Sequence, residues 1–182
     1  MLNTFVVYVE DKPGVLNRVA SLFRRRAFNI ESLTVGHTET PGVSRMTIVV
    51  DTDDLGAHRA EANLYKLVNL LRVDNITERP AVFRDLAMIK VATTPESRTH
   101  VMQLVDVFRA RVIDVAPDSL IIETTGTEDK VESLLEVLRP YGVLEMVRTG
   151  RVAMARGTKV ASASPPSVEA QPADDETISY SV

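Results

Sequence analysis

The secondary structure that the sequence predicts follows the same order twice, and this repeat leaves few folds open to the chain. Residues 4–10 are β-branched and aromatic, which indicates a strand, and the run D-K-P-G breaks it at residues 11–14. From residue 15 the apolar positions fall on one face of a helix, with Arg24, Arg25 and Arg26 at its end. The remaining elements of this half are strands at residues 28–37 and 44–51, a helix at 54–71 and a strand at 73–79. The order β-α-β-β-α-β predicts an α+β fold of the ferredoxin-like type.

The second half of the chain repeats this order. Its predicted elements are a strand at residues 82–93, a helix at 95–109, strands at 111–115 and 119–124, a helix at 127–138 and a strand at 143–149. A repeat of about 80 residues is longer than the units of solenoid proteins, so it predicts two related domains, at residues 1–80 and 81–159. A single larger α+β domain would fit the same pattern.

The composition is that of a soluble globular protein, with 45% hydrophobic and 25% charged residues. The chain has no cysteine, which excludes disulfides, a thiolate nucleophile and cysteine metal ligands. No apolar run approaches the roughly 20 residues that span a bilayer, and the N-terminal residues lack the basic and apolar regions of a signal peptide. We therefore expect a cytoplasmic protein that has no membrane partner.

The C-terminal residues differ from the rest of the chain in charge. Residues 161–182 contain no Lys or Arg and four acids, namely Glu169, Asp174, Asp175 and Glu176. Subtracting these four from the 25 acids leaves 21, which equals the 21 basic residues, so the rest of the chain is neutral. The segment is also rich in Ala, Ser and Pro, and this composition predicts a disordered acidic tail at residues 160–182. A peptide that binds a partner is the alternative.

The first loop and the strand that follows the first helix carry the chemistry of an amino-acid site. The N-terminus of the first helix offers unpaired backbone N–H groups and a positive dipole end to a carboxylate, and Gly14 leaves room for its approach. Asp11 supplies an acceptor for an ammonium group, and Asn29 both donates and accepts hydrogen bonds. A carboxylate and an ammonium together describe a free amino acid. The same residues also fit a purely structural turn in which Asp11 caps backbone donors.

The equivalent loop of the second repeat lacks these features. It has the sequence T-T-P-E-S at residues 93–97 and contains no glycine. Glu96 would repel a carboxylate that approached the end of its helix. If either repeat binds an anionic small molecule at this position, the sequence predicts that the first repeat does so.

No set of residues predicts a catalytic site or a metal site. His37, His58 and His100 lack the spacing of metal ligands, and neither a Ser/His/Asp set nor a paired-carboxylate motif is evident. RNA-recognition domains share the ferredoxin-like order, but they stack bases on aromatic residues of the two central strands. Phe5 and Tyr8 face opposite sides of their strand, so we predict no nucleic-acid partner of this type, although another mode of binding stays open.

Motifs in both halves resemble those of one known family. V-E-D-K-P-G-V-L-N-R-V-A-S-L-F, F-N-I-E-S-L-T-V-G and S-R-M-T-I-V-V resemble the N-terminal ACT domain of acetolactate synthase small subunits. R-V-I-D-V and V-R-T-G-R-V-A-M-A-R-G resemble the C-terminal domain of that family. The similarity covers residues 3–159, and F-N-I-E-S-L-T-V followed by S-R-M-T is its most specific part.

The resemblance implies a regulatory subunit that has no active site and binds no cofactor of its own. In that family the large catalytic subunit makes acetolactate from pyruvate with thiamine diphosphate, magnesium and FAD. The small subunit raises this activity and makes it sensitive to valine, in the pathway that supplies valine, isoleucine and leucine. The rival interpretation is a stand-alone ACT-type transcriptional regulator, which would need a DNA-binding helix pair.

The resemblance also implies where valine binds. ACT domains of two chains form a homodimer, and valine lies between the first loop of one chain and the facing chain. Matched to this sequence, the valine-binding residues are Asp11, Gly14, Val15, Leu16, Asn29 and Ile30, of which the last two belong to the facing chain. Asp11 stands where other members of the family have Asn, so this chain carries an additional charge there.

Overall fold

The computed structural model describes residues 1–157, and the first half of this range forms a four-stranded sheet with two helices. The elements are β1 (Leu2–Glu10), α1 (Val15–Arg25), β2 (Ile30–His37), β3 (Val43–Asp51), α2 (Asp54–Leu64) and β4 (Leu70–Asn75). All neighbouring strands are antiparallel, in the order β2-β3-β1-β4. This arrangement confirms the predicted ferredoxin-like order, and it leaves β2 at one edge of the sheet.

The second half contains the same arrangement. Its elements are β5 (Ala81–Ala92), α3 (Pro95–Val107), β6 (Arg111–Val115), β7 (Ser119–Gly126), α4 (Glu128–Leu138) and β8 (Val143–Arg148). Their strands are antiparallel in the order β6-β7-β5-β8, and one 3₁₀ turn at Arg139–Tyr141 joins α4 to β8. The predicted α+β class with two ferredoxin-like repeats is thereby confirmed, whereas the boundaries at residues 1–80 and 81–159 remain a prediction.

Each sheet packs its two helices on one face. In the first repeat, Phe5 of β1 and Ile48 of β3 are register partners, and both are fully buried in a core that includes Phe23 of α1. In the second repeat, the paired residues Ile89 and Ile122 are buried in the same way beneath α3 and α4. Burial of one such side chain contributes about 1.5–3 kcal/mol, so the alternation of apolar residues along the strands fixes which face the helices cover.

The second helix is shorter than the sequence predicts. α2 ends at Leu64 rather than at residue 71, because the chain then forms turns in which the Leu67 N–H donates to Leu64 and the Leu70 N–H donates to Leu67. Val68, which the longer predicted helix would include, is 92% exposed. β4 consequently begins at Leu70 and ends at Asn75, instead of spanning residues 73–79. The apolar run contains no Gly or Pro, and periodicity alone does not separate a helix from a strand in such a run.

A ninth strand, β9 (Val152–Ala155), was not predicted. It pairs with the first four residues of β5 and lies on the face of the first sheet opposite to the helices. On that face Ala153 packs with Val6 and Ile76, and the Arg45 guanidinium donates to the Ala153 carbonyl. A strand that follows the second repeat in sequence therefore covers the back of the first sheet.

The predicted acidic tail at residues 160–182 lies outside the described residues. Within residues 1–157, no helix combines the length and the apolar character that crossing a membrane requires.

Candidate functional site

The loop after β1 leads directly into α1 and places a glycine at the helix N-terminus. The Asp11 N–H donates to the Gly42 carbonyl at 2.8 Å, which fixes the loop to the start of β3. Gly14 is the N-cap of α1, with a φ of +83° in the left-handed region that favours glycine. A Cβ placed on Gly14 would meet no atom within 4 Å. The backbone conformation therefore favours glycine, and the space in front of it is free for a ligand.

The N-terminus of α1 is open to an anion. The first bond of the helix ladder joins the Arg18 N–H to the Gly14 carbonyl at 3.0 Å, so the N–H groups of Leu16 and Asn17 precede that ladder. Among the four α-helices of residues 1–157, α1 alone has neither a side-chain cap nor an acidic residue in its first turn. Its positive dipole end is therefore not neutralised by the chain itself.

Two predicted site residues at this helix end differ in what they expose. The Val15 side chain is only 5% exposed and belongs to the core, and its N–H donates to the Lys12 carbonyl at 3.3 Å. The Leu16 side chain is 44% exposed. Leu16 can therefore contact a ligand with its side chain, whereas Val15 has its side chain turned into the protein.

Asp11 points toward the edge strand rather than toward the helix end. Its Oδ2 lies 3.3 Å from Nδ1 of His37, the last residue of β2, and both side chains are exposed. Asp11 does not cap α1, because that helix has no side-chain cap hydrogen bond. The Asp11 carboxylate remains accessible beside the C-terminal end of β2.

Asn29 and Ile30 lie at the opposite end of the sheet from this loop. β2 and β1 are both antiparallel to β3, and Ile30 pairs with Val50 whereas His37 pairs with Ser44. The seven residue steps from Ile30 to His37 span about 23 Å. The Asn29 amide donates to the Glu31 carboxylate next to it. One chain therefore does not bring the six predicted residues together, and a common site would need two chains.

An acidic residue flanks the first loop without reaching the helix end. The Glu10 carboxylate accepts a hydrogen bond from the Asn69 amide at 2.6 Å and lies 3.1 Å from the Lys12 ammonium. These two contacts, with Asn69 the larger, hold the pKa of Glu10 below its ordinary value. Lys12 is thereby paired at the side of the loop.

The equivalent end of α3 is closed by its own side chains. The Thr94 hydroxyl accepts from the Ser97 N–H at 3.2 Å, and the Ser97 hydroxyl accepts from the Thr94 N–H at 2.9 Å, which forms a capping box. Glu96 stands in the first turn, and hydrogen bonds from Thr94 and from its own backbone lower the pKa of its carboxyl. α3 therefore has the side-chain cap and the acidic first-turn residue that α1 lacks, and its N-cap is Thr94 where that of α1 is Gly14.

Comparison with known families matches both halves of the chain. Residues 5–72 match the AHAS small subunit-like ACT domain, and residues 84–157 match the small subunit of acetolactate synthase. A probable acetolactate synthase small subunit from Archaeoglobus fulgidus is 53% identical over 159 residues, which cover 87% of this chain and 99% of that protein. The chain belongs to the acetolactate synthase small-subunit family. The acetolactate synthase small subunit of Bacillus subtilis is 44% identical over 165 residues, which cover 90% of this chain and 96% of that protein.

A solved structure from this family has the same fold. The crystal structure of the acetolactate synthase small subunit from Thermotoga maritima superposes with a TM-score of 0.82 at 42% identity. The match covers 87% of this chain and 99% of that one. Two ACT-like βαββαβ repeats in one chain are therefore an architecture that this small subunit shares with a solved relative.

Sequence reasoning missed a polar junction between the two repeats of this small subunit. The Arg151 N–H donates to the Ser32 hydroxyl at 2.8 Å, and the Thr34 hydroxyl donates to the Arg151 carbonyl at 2.6 Å. The Arg151 guanidinium lies 3.0 Å from Glu128 at the start of α4. Edge strand β2 and helix α4 are thus joined through one residue. Gly150 is the sequence feature that marks this close approach, since a Cβ there would lie 2.5 Å from the Ser32 hydroxyl.

A second arginine, Arg148, shares Glu128 with Arg151. Arg148 pairs with the nearly buried Asp85 at 3.2 Å and with Glu128 at 3.0 Å and Glu132 at 2.8 Å. Burial raises the pKa of Asp85 above its ordinary value, although the charges of Arg148 and Arg151 act in the opposite direction. All these ion pairs lie within the second repeat and apart from the first loop, and the contact with the first repeat is made by the hydrogen bonds of Arg151 to Ser32 and Thr34.

His37, His58 and His100 are all exposed. Within residues 1–157, no three His, Asp or Glu side chains cluster closely enough to hold a metal ion.

Proposed function

We propose that this small subunit regulates an acetolactate synthase in the cytoplasm, in the synthesis of valine, isoleucine and leucine. It binds the large catalytic subunit and raises its activity, and valine bound at the first repeat inhibits the assembled enzyme. Thiamine diphosphate, magnesium and FAD belong to the catalytic subunit in this proposal. Membership of the small-subunit family supports the partnership with a catalytic subunit.

The open N-terminus of α1 is the observation that carries the assignment of the effector site. The valine carboxylate would accept hydrogen bonds from the N–H groups of Leu16 and Asn17, in front of Gly14. The Asp11 carboxylate, which is accessible beside the C-terminal end of β2, would accept from the ammonium group. The exposed Leu16 side chain offers an apolar contact for the isopropyl group.

A homodimer formed through β2 would complete the site. β2 is an edge strand, so its outer N–H and C=O groups are available to a strand of another chain. Antiparallel pairing of two β2 strands about a two-fold axis places the start of one strand beside the end of the other. Asn29 of the partner subunit and Ile30 of the partner subunit would then lie next to His37 and the first loop.

Inhibition requires that valine distinguish two arrangements of the subunits. A ligand that bound both arrangements equally would shift nothing, so valine must bind more tightly where the small subunit activates less. A site between two chains suits this role, because a small ligand there alters how the chains pack against each other.

Reconstitution with a large catalytic subunit tests the proposed function. We expect the chain to co-purify with the catalytic subunit, to raise the rate of acetolactate formation, and to make that rate fall when valine is added. Absence of activation, together with binding to DNA in a gel-shift assay, would instead support the stand-alone regulator. Against that rival, the four α-helices of residues 1–157 all belong to the two βαββαβ repeats.

Mixed dimers test whether two chains share the site. Gly14→Asp disrupts the half of the valine site that the first loop forms, and Asn29→Ala disrupts the half that the facing chain forms. Each variant alone should therefore lose valine sensitivity. In a mixed dimer, the loop of the Asn29→Ala chain faces the intact Asn29 of the other chain. Mixing should therefore restore about a quarter of the sites. A mixture that stays fully insensitive to valine would contradict a site shared between chains.

A further inference from the structure

A groove between α1 and α2 concentrates positive charge on the helical face of the first repeat. Four cationic side chains line it around an apolar floor formed by Leu22 and Leu67, namely Arg18, Arg25, Arg26 and Lys66. Its volume is about 540 Å³, and its lining includes no acidic residue. The sequence predicts only a solvated helix end at residues 24–26, and the tertiary structure adds Arg18 and Lys66 to that charge.

The cations of this groove are not neutralised by the described part of the chain. Within residues 1–157, none of the four lies within 4.0 Å of a carboxylate in an ion pair. Arg18 donates to the Asn69 side chain, and the Lys66 ammonium donates to the Asn63 side chain at 3.4 Å. The groove continues across α2 to Arg59, which shares a second concavity with Arg26 and Lys66. Adjacent like charges repel one another unless an anion binds between them.

We propose that the acidic C-terminal segment, residues 169–176, docks in this groove. The segment carries Glu169, Asp174, Asp175 and Glu176 and no basic residue, so its charge of −4 matches the four cations of the groove. It lies beyond residue 157, where the match to the family model of the acetolactate synthase small subunit ends. The proposal is independent of valine binding and of the effector site.

The segment is long enough to reach the groove. Gly157 is the last described residue, and the preceding Arg156 N–H donates to the Pro80 carbonyl, which fixes this point of the chain next to the start of β5. A compact unit of about 80 residues is roughly 30 Å across. The 12 residues from Gly157 to Glu169 span at most about 40 Å when extended. The path around one edge of the first sheet is therefore within reach, and tethering raises the effective concentration to about the millimolar range.

Zero-length cross-linking of the full chain tests this docking. A carbodiimide joins a lysine ammonium to a carboxylate only when the two are in contact, and mass spectrometry identifies the joined residues. Glu10 and Lys12, 3.1 Å apart, provide an internal control for the reaction. We expect cross-links from the tail acids to Lys66 to exceed those to Lys130, which lies outside the groove, by about fivefold. In 1 M salt this excess should disappear, because the screening length falls to about 3 Å.

Matched variants separate docking from general charge attraction. Arg25→Gln with Arg26→Gln should reduce the Lys66 cross-links by about fivefold, whereas Arg24→Gln, at the same helix end but outside the groove, should leave them unchanged. Tail cross-links spread equally over Lys66 and Lys130, or absent while the Glu10–Lys12 cross-link forms, would overturn the proposal. So would an assembled enzyme in which Lys66 joins only to carboxylates of the catalytic subunit.

Discussion

The two repeats place a helix N-terminus at the same point of the same fold, yet they treat it in opposite ways. α1 begins at Gly14, with no cap and no acid, and faces open space. α3 begins at a capping box formed by Thr94 and Ser97, with Glu96 in its first turn. The second repeat satisfies its orphan N–H groups with its own side chains, at a gain of about 1 kcal/mol. The first repeat forgoes this stabilisation, since no side chain caps the N-terminus of α1.

The same fold therefore presents two chemically different helix ends. Both sheets have the same strand order and both helices pack on the same face, so the framework cannot distinguish the repeats. In the proposed function, a few residues at one helix end decide which repeat accepts a carboxylate.

The largest effect is expected for a charge placed at the open helix end. Gly14→Asp should weaken the inhibition by valine about 100-fold, or about 2.7 kcal/mol, because its carboxylate opposes that of the ligand. Activation of the catalytic subunit should change little.

Gly14→Asn is the matched control for that variant. Asn and Asp have the same shape and both tolerate a positive φ, so the comparison removes backbone strain from the result. We expect Gly14→Asn to weaken valine inhibition much less than Gly14→Asp. Equal inhibition constants for the two variants would show that charge at this helix end does not matter.

A smaller effect is expected when the capping box of the second repeat is broken. Thr94→Ala should lower the free energy of unfolding by about 1 kcal/mol, since it removes the N-cap of α3. Valine inhibition should be unchanged. Thr99→Ala, an exposed position later in the same helix, serves as control and should stay within about 0.5 kcal/mol of the parent chain. An altered valine response in Thr94→Ala alone would contradict the division of roles between the repeats.

Removing the charge of Asp11 should weaken valine inhibition by about threefold, or about 0.7 kcal/mol. The amide of Asp11→Asn still accepts a hydrogen bond from an ammonium group, which is why the loss is modest. The inhibition constant measured for His37→Gln provides the control, because that change leaves the Asp11 carboxylate in place. If valine inhibition weakened threefold in His37→Gln and not at all in Asp11→Asn, the ammonium contact would not be made by Asp11.

The smallest effect concerns pH. The pKa values of Glu10 and Glu96 are both lowered in the folded chain, so each carboxylate stabilises the fold above its unfolded pKa. That contribution is lost as pH falls through the folded pKa. Glu96→Gln and Glu10→Gln should each reduce the unfolding midpoint slightly at neutral pH and match the parent chain in acid. Thr94→Ala should reduce the pH dependence due to Glu96, because the hydrogen bond from Thr94 is its largest cause, and should retain that due to Glu10. A Thr94→Ala chain that loses the pH dependence due to Glu10 and keeps all of that due to Glu96 would contradict this prediction.

The sequence predicts most of the fold because its signals are local. Strands such as β5 alternate buried and more exposed residues, with Ala87, Ile89 and Val91 buried, and α1 follows a clear break at Pro13 and Gly14. The end of α2 is misjudged, since Leu67 and Leu70 join the core from a turn rather than from a helix. β9 is missed because it has four residues and its partner strand lies about 70 positions earlier, so no local pattern marks it.

The candidate site shows the same limit. The conformation of Gly14 can be inferred from the sequence, because a D-K-P-G break before a helical stripe needs a tight turn. The burial of Val15 and the exposure of Leu16 cannot be inferred from the sequence, since both residues lie on the apolar stripe of α1. The distance between Gly14 and Asn29 follows only from strand order, which depends on pairing between segments remote in sequence. The contact between Asp11 and His37 likewise depends on tertiary structure.

A valine titration of the isotope-labelled chain, followed by amide NMR, tests the central claim most directly. We expect the amide signals of Gly14, Leu16 and Asn17 to shift in a saturable way, while those of Thr94, Glu96 and Ser97 stay in place. Signals that shift around Thr94 and not around Gly14, or that shift at neither helix end while valine still inhibits the assembled enzyme, would contradict the account.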